Sequence, residues 1–395
     1  MIFTHKIALD LTQDQEGYGR RAAGTARFTY NWALAEWKRQ HQAGDTPTAA
    51  RLKKQWNAVK YAHYPWLADL HRDAHAQPFT HLGTAFANFF RHEADYPTFK
   101  KKGVHDSFSV ANDKCTVAGK RLRLPRLGWV RMREAVRFTG TLMSAVVSRT
   151  ADRWFVSLAV RLAETPPPCE NQAVVGVDLG VTTLATLSTG EKVAGPTPLR
   201  KLLKALRRGN RSLARRVKGS ANRAKTRRKL ARLHARIACQ RADSLHKLTT
   251  SLVQRFGTIV IEDLHVKGMV RNHHLARAIS DMGFGMFRTL LTYKAEVAGG
   301  RLIVADRWFP SSKRCSQCGC LRETLTLADR ILQCAACGLV LDRDLNAARN
   351  LEKLAWASGE VTPVESGALA DGVRTVSETL LGEAGTTQSV LLYTS

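Results

Sequence analysis

Val174-Val-Gly-Val-Asp-Leu-Gly180 is the stretch on which the reading of this chain turns. Its apolar run has the pattern of a strand buried on both faces, yet a carboxylate, Asp178, interrupts it. Burying an ionised carboxylate is costly unless a cation or hydrogen-bond donors compensate. Val181 to Ser188, closed by Thr189-Gly190, predicts a β-hairpin opening from this strand. Further along, Ile259-Val-Ile-Glu262 and Leu302-Ile-Val304 repeat the buried-strand pattern, with a helix predicted between them around Phe284 to Val297. Strands alternating with helices predict an α/β domain.

Two more acids join Asp178. Glu262 ends its strand, and period-two alternation puts it on the face of Val260, which favours it over Asp263. Asp344 lies in Asp342-Arg-Asp-Leu-Asn-Ala-Ala-Arg-Asn350, where the Ala-Ala pair and Leu351 predict a helix starting near Asp342 and packed closely on the sheet. Each acid alone reads more readily as a strand-end, turn or cap residue than as a ligand, and Asp263 and Asp342 are neighbouring decoys. Their conjunction points to a shared cation. Hard ions such as Mg²⁺ take oxygen ligands, and a pair of them about 4 Å apart can activate water and stabilise the departing oxygen in phosphodiester cleavage. Asp178, Glu262 and Asp344 are therefore the candidate catalytic residues and the candidate ligands of two Mg²⁺ ions.

Between Glu262 and Asp344 stands Cys315-x-x-Cys318, then fifteen residues, then Cys334-x-x-Cys337. Two such knuckles place four thiolates tetrahedrally on one Zn²⁺, and four sulfurs leave no open position, so this zinc is expected to be structural. Cys320 is surplus to the set. A redox dithiol needs only one pair, and without a secretory signal the reducing cytosol argues against disulfides among the eight cysteines.

Charge narrows the partners. The 395 residues carry 61 Lys+Arg against 33 Asp+Glu, a formal net charge of +28, with 44% hydrophobic residues. Such an excess favours a polyanion, with nucleic acid the leading partner. No run of 18 apolar residues and no signal sequence is evident, so a membrane is not expected and a cytoplasmic location is. The charge is concentrated from Arg200 to Arg236, read as one long basic helical segment, with sixteen Lys or Arg, no Asp or Glu, and a stripe of Leu202, Leu206, Leu213, Leu230, Leu233 and Ile237. Arg207, Arg208, Arg215, Arg216, Arg227 and Arg228 in this segment, with Lys100, Lys101 and Lys102 upstream, are the candidate nucleic-acid contacts.

The length predicts two or three domains. Ile2 to Leu11 reads as a strand stopped at Thr12, where Thr12 and Gln15 have capping-box spacing. From Gln13 to Arg91 the residues Phe28, Trp32, Leu34, Trp56, Val59, Leu82, Phe86 and Phe89 recur at helical spacing, which favours core packing over base stacking. Short alternating runs then return, notably Ser144 to Ser148 and Trp154 to Val160 around Thr150-Ala-Asp-Arg153. Together with the first strand they predict a small β-barrel or sheet interrupted by a helical insertion. Thr165-Pro-Pro-Pro168 marks a domain boundary, and the tail beyond about residue 358 has weak periodicity and is expected to be poorly ordered.

GVDLGVTTLATL from Gly176, IVIEDL from Ile259, and PSSKRCSQCG with CAACGLVLDRDLNAARNL from Pro310 resemble the TnpB family of transposon-encoded proteins. Thr25 to Asn31, Phe99 to Gly103, Leu124 to Gly128 and His246 to Leu252 extend the resemblance to most of the chain, as far as about residue 355. The resemblance implies an RNA-guided DNA endonuclease related to type V CRISPR effectors. It implies an RNase H-like (RuvC) catalytic domain at 172–312 and 341–357, a zinc-finger insertion at 313–340, a wedge-like β-barrel at 1–12 and 96–165, and a helical recognition insertion at 13–95. It also makes Asp178, Glu262 and Asp344 the catalytic triad. A guide RNA from the transposon end and a target double-stranded DNA carrying a short flanking motif are the implied partners, in a prokaryotic, nucleoid-associated setting. An RNA-guided regulator without cleavage and a strand-joining transposase are the alternatives. All three acidic positions are filled, and no tyrosine or serine recombinase motif is evident.

Overall fold

The computed structural model describes residues 2–162, 170–325 and 329–357. The expected boundary at Thr165-Pro-Pro-Pro168 and the tail from 358 lie outside the described residues. The chain divides into two compact units, one on each side of the first gap.

The first unit begins with β1 (Ile2–Asp10), whose alternate residues Phe3, His5, Ile7 and Leu9 are buried. Thr12 then starts α1 (Gln13–Gln42) with a capping box: its hydroxyl accepts from the Gln15 amide, and the Gln15 side chain accepts from the Thr12 amide. α2 (Ala49–His63) and α3 (Asp73–Phe90) follow. Trp56, Leu52, Leu82 and Phe79 are fully or almost fully buried between these helices, and Trp37 stacks on Phe86 at 3.8 Å between ring centroids. Most of the aromatic residues of this region thus fill a helical core, as the periodicity predicts, while Phe28 lies at its margin against Tyr64 and Trp66.

The chain then adds β2 (Ser107–Ala111), β3 (Thr116–Ala118), β4 (Arg121–Leu124), β5 (Gly128–Met132), β6 (Gly140–Thr150) and β7 (Arg153–Leu162). With β1 they form a seven-stranded antiparallel sheet in the order β2-β6-β7-β1-β5-β4-β3. Among the described residues no ladder joins β2 to β3, so the sheet is open and the closed barrel expected from the sequence is not observed. Helices bury its apolar face instead: Tyr18, Ala22 and Ala23 of α1 and Ala74 of α3 share a core with Ile7, Phe108, Leu122, Val130, Trp154 and Val156. Closure is one way to bury a sheet face, and a packed helix is another.

In the second unit, β8 (Val174–Leu179), β9 (Thr183–Leu187) and β10 (Lys192–Ala194) run antiparallel in sequence. Two helices come next, α4 (Pro198–Ala214) and α5 (Ala221–Arg255), where the sequence predicts one basic segment. The break has local causes. Gly219 takes a positive φ of 89°, Ser220 caps α5 by accepting from the Arg223 amide, and the Arg223 guanidinium donates to the carbonyls of Leu213 and Arg216 at the end of α4. After β11 (Thr258–Glu262) come α6 (Val266–Arg271), α7 (Ala276–Met282), α8 (Phe284–Val297) and β12 (Arg301–Ala305). The sheet order is β10-β9-β8-β11-β12, with β8, β11 and β12 parallel. The His246 to Leu252 stretch is explained by a buried Lys294 on α8, whose ammonium donates to the His246 carbonyl and to the hydroxyls of Thr249 and Thr250.

β13 (Ile331–Gln333) and β14 (Val340–Asp342) form a small hairpin, and α9 (Arg343–Ala357) returns to the large sheet. α9 lies flush on β8 because residue 176 is glycine. A Cβ there would stand 2.0 Å from the Ala348 carbonyl oxygen and 2.5 Å from the Glu352 nitrogen. Ala347, Ala348 and Leu351 are buried in the same contact.

Candidate metal centres and nucleic-acid interface

The parallel register pairs Ile261 with Val177, so the next residues on the adjacent strands, Glu262 and Asp178, stand side by side at the same sheet end. Neighbouring strands lie about 4.8 Å apart. Gly176 and Asp178 point to one face, as do Val260 and Glu262, and that face is the one covered by α9: Gly176 meets Ala348, and Val260 shares a core with Leu351. Asp344 arrives on the first turn of α9. The structure therefore brings together three acids that are far apart in the sequence.

Their electrostatics are unfavourable without a cation. Burial raises the Asp178 carboxyl well above its ordinary range, and the charges of Glu262 and Asp344 raise it further, with Arg343 opposing. Glu262 is raised too, by burial first and by Asp344, while a hydrogen bond donated by the Ser311 hydroxyl works the other way. The decoy acids are otherwise engaged. Against the effect of burial, the guanidiniums of Arg288 and Arg307 hold Asp263 below the usual carboxylate range. Asp342 is likewise held down, burial notwithstanding, by the Lys192 ammonium at 2.7 Å and by the amides of Leu345 and Asp344 at the start of α9. An all-oxygen, partly buried set in which Asp178 and Glu262 are raised fits hard divalent cations.

Cys315, Cys318, Cys334 and Cys337 place their sulfurs within 4.8 Å of one another, the only group of three or more potential metal ligands this tight among the described residues. The Cys315–Cys337 and Cys318–Cys334 separations are 3.7 and 3.5 Å. Tetrahedral Zn–S bonds of about 2.3 Å put sulfurs roughly 3.8 Å apart, so the set fits Zn²⁺. The two knuckles are built alike. Gly319 donates to the Cys315 carbonyl and Gly338 to the Cys334 carbonyl, each at 2.9 Å and each glycine at positive φ. The Cys315 amide donates to the Cys320 carbonyl just as the Cys334 amide donates to Leu339, so Cys320 serves through its backbone. Amides of Cys337 and Ala336 lower the Cys334 thiol to about 6, although burial opposes them.

The candidate basic contacts divide between the units. Lys100, Lys101 and Lys102 are exposed in the first unit, on a loop clamped to α1 by Asn31, whose side-chain amide exchanges two hydrogen bonds with the Lys100 backbone at 2.8 and 3.0 Å. The Lys100 ammonium, however, is turned inward, 4.0 Å from the Tyr30 ring centroid, and burial lowers it to about 8, so the exposed part of this residue is not its charge. Arg207, Arg208, Arg215, Arg227 and Arg228 are exposed in the second unit, while Arg216 is half-buried and contacts Ser212. Sequence reasoning missed Ser311, Asn346 and Asn350. Two asparagines four apart on a helix that also carries buried alanines were the available signal, since buried amides need partners.

An IS605 OrfB family model described as "Probable transposase" matches residues 157–273, a "Cas12f1-like, TNB domain" model matches 284–351, and a "Helix-turn-helix domain" model matches 1–46. In this chain residues 2–42 form one strand and one 30-residue helix. A Streptomyces pristinaespiralis protein named "Putative RNA-guided DNA endonuclease" is 40% identical over 378 residues, covering 92% of this chain and 90% of its own length. The Escherichia coli K12 protein named "Putative RNA-guided DNA endonuclease InsQ" is 34% identical, covering 85% and 88%. Among solved structures, a Cas12f1–sgRNA–target DNA complex shares the fold with a TM-score of 0.54 at 14% identity, over 86% of this chain and 83% of the other. No helix among the described residues is long and apolar enough to cross a membrane. Over most of its length, then, the chain belongs to the TnpB (IS605 OrfB) family.

Proposed function

We propose that this protein is an RNA-guided DNA endonuclease of a transposable element that cuts target DNA beside a short motif by Mg²⁺-dependent hydrolysis. The observation that carries the reading is the meeting of Asp178, Glu262 and Asp344 at one sheet end, in a chain 40% identical to a protein named for that activity. The order of its mixed sheet and the helix α9 laid across it support an RNase H-like (RuvC) assignment for 172–312 and 341–357, with 313–340 as an inserted zinc ribbon.

Asp178 and Glu262 offer oxygen ligands from adjacent strand ends, and Asp344 offers a third from the helix across them. Divalent cations held there would supply an activated water and would neutralise charge on the departing oxygen. Arg288 and Arg307 keep Asp263 out of the ligand set, and Lys192 does the same for Asp342. The four thiolates would hold Zn²⁺ and leave no position for substrate. Base pairing with the guide reads the target, so the protein needs a positive surface for the heteroduplex backbone more than base contacts. The exposed arginines of α4 and α5, with Lys101 and Lys102, suit that role. The open sheet of the first unit and its helices α1 to α3 would serve as the wedge-like and recognition parts.

The test is to copurify the protein with RNA from its own locus, sequence that RNA, and challenge a plasmid library carrying the guide-matched target beside randomised flanks. Cuts that require the guide and Mg²⁺, vanish with EDTA and select one flanking motif are the expected result. Guided binding without cutting would favour the regulator, and strand joining the transposase.

A further inference from the structure

The catalytic reading leaves a buried polar network without a role. Ser311 is 4% exposed and donates its hydroxyl hydrogen bond to Oε1 of Glu262. Its carbonyl accepts from the side-chain amide of Asn350 at 2.7 Å, and that amide also donates to the Arg314 carbonyl at 2.6 Å. One turn earlier on α9, Asn346 donates to the same Arg314 carbonyl at 2.7 Å, while its oxygen accepts from the Ser316 amide at 2.8 Å. Lys353 closes the set on the Ser316 carbonyl. Both asparagines are almost completely buried, at 0% and 3% exposure. A buried primary amide that spends its donors on another segment's backbone fixes that segment in place.

The fixed segment has Ser311 at one end and the first zinc knuckle, Cys315, at the other. The clamping helix is the one that carries Asp344. One helix therefore sets an acid directly and, through a clamped turn, the hydroxyl that meets a second acid. A carboxylate on a flexible side chain has several rotamers, and holding one oxygen orients the other.

We propose that Ser311 is a positioning residue for Glu262, held by Asn346 and Asn350, so that α9 sets two of the three carboxylates at once. This deepens the nuclease reading and rests on it. Ser311 itself touches no reacting atom. It fixes the Glu262 carboxylate, and its removal should weaken divalent-ion binding before it affects anything else.

The experiment uses the full chain with its copurified RNA. Mn²⁺ binding is followed by electron paramagnetic resonance for the unmodified protein, Ser311→Ala, Ser311→Thr, Glu262→Gln and the Ser311→Ala/Glu262→Gln double variant. Guided cleavage against Mg²⁺ concentration, zinc content and thermal midpoint are measured alongside. Ser311→Ala is expected to retain zinc, to bind Mn²⁺ about 10-fold more weakly and to need correspondingly more Mg²⁺ for half-maximal cleavage. Ser311→Thr, which keeps the hydroxyl, restores most of this affinity. In the Glu262→Gln background the alanine adds little, because the two residues act as one. Mn²⁺ affinity unchanged in Ser311→Ala, or effects that simply add in the double variant, would overturn the proposal, and general misfolding would show as the additive case with zinc released. Failure of the unmodified complex to cut guided DNA would count against the nuclease reading while leaving the Mn²⁺ comparison intact.

Discussion

The four cysteines and the three acids sit in the same unit and solve the same problem by opposite routes. Each thiol pair is carried by one tight turn, both turns repeat the same amide-to-carbonyl pattern, and four sulfurs complete a shell. The acids come from two strands and a helix whose meeting depends on the whole sheet. Burial and neighbouring carboxylate charge raise the carboxyls of Asp178 and Glu262. A site made of one local motif can be finished by a metal alone. One assembled from distant elements must be held together by packing, and it keeps its openness for substrate.

The contrast is most exposed at the thiols. Structural Zn²⁺ in small modules contributes roughly 10–16 kcal/mol of binding energy that is also folding energy. Cys334→Ser should therefore abolish zinc retention and expose 313–340 to proteolysis, as read by metal analysis and limited digestion, while the sheet of the second unit remains folded. The acid side is more vulnerable to packing. Gly176→Ala forces a methyl group against the Ala348 carbonyl and the Glu352 nitrogen, and a destabilisation of about 3 kcal/mol is expected in denaturant unfolding. Wild-type stability in that variant would mean that α9 is free to move off β8.

A smaller effect separates the two sites by sign. Removing a thiol ligand destabilises, whereas Asp178→Asn should stabilise the metal-free protein at neutral pH by a few degrees in melting temperature. Asp178 faces Glu262, Asp344 and Asp342, with Arg343 as the nearby cation. Its carboxyl is raised in the folded state, so the native protein binds the proton more tightly than the unfolded chain. Stability is then greatest below the ordinary carboxylate pKa and is lost as pH rises through the raised value. The advantage of asparagine should grow with pH and disappear under acid conditions, and Mg²⁺ should stabilise the unmodified chain but not the variant. Smallest of all is the charge outside both sites. Arg207→Glu with Arg208→Glu should lower the salt dependence of RNA binding, by about 0.7 for each single-strand phosphate that is no longer neutralised, without changing zinc content. An unchanged slope would remove these residues from the interface.

Legibility follows the same division. The zinc knuckles are readable because their spacing is local. β1, the Thr12 capping box, β8, β11, β12 and α8 are readable because buried strands and capped helices leave periodic signals. The break between α4 and α5 is written as Gly219-Ser220 but is masked by the continuous basic composition around it. The openness of the first sheet is not legible, since alternation specifies a buried face and not whether strands or helices cover it. Asp178, Glu262 and Asp344 can be nominated from carboxylates in apolar strands and at a helix start. Of the Ser311–Asn346–Asn350 network only the two asparagines four apart on α9 leave a signal; their partners, backbone groups of 311–316, have no period that would name them.

The most direct measurement is cleavage of one guide-matched duplex by the purified protein–RNA complex, with Mg²⁺ or EDTA, for the unmodified protein and for Asp178→Ala, Glu262→Gln and Asp344→Asn. Cutting by the unmodified complex only, with target binding retained in all three variants, is the predicted result. Mg²⁺-dependent cutting that survives in any of the three would contradict the assignment of these carboxylates as the metal-holding centre.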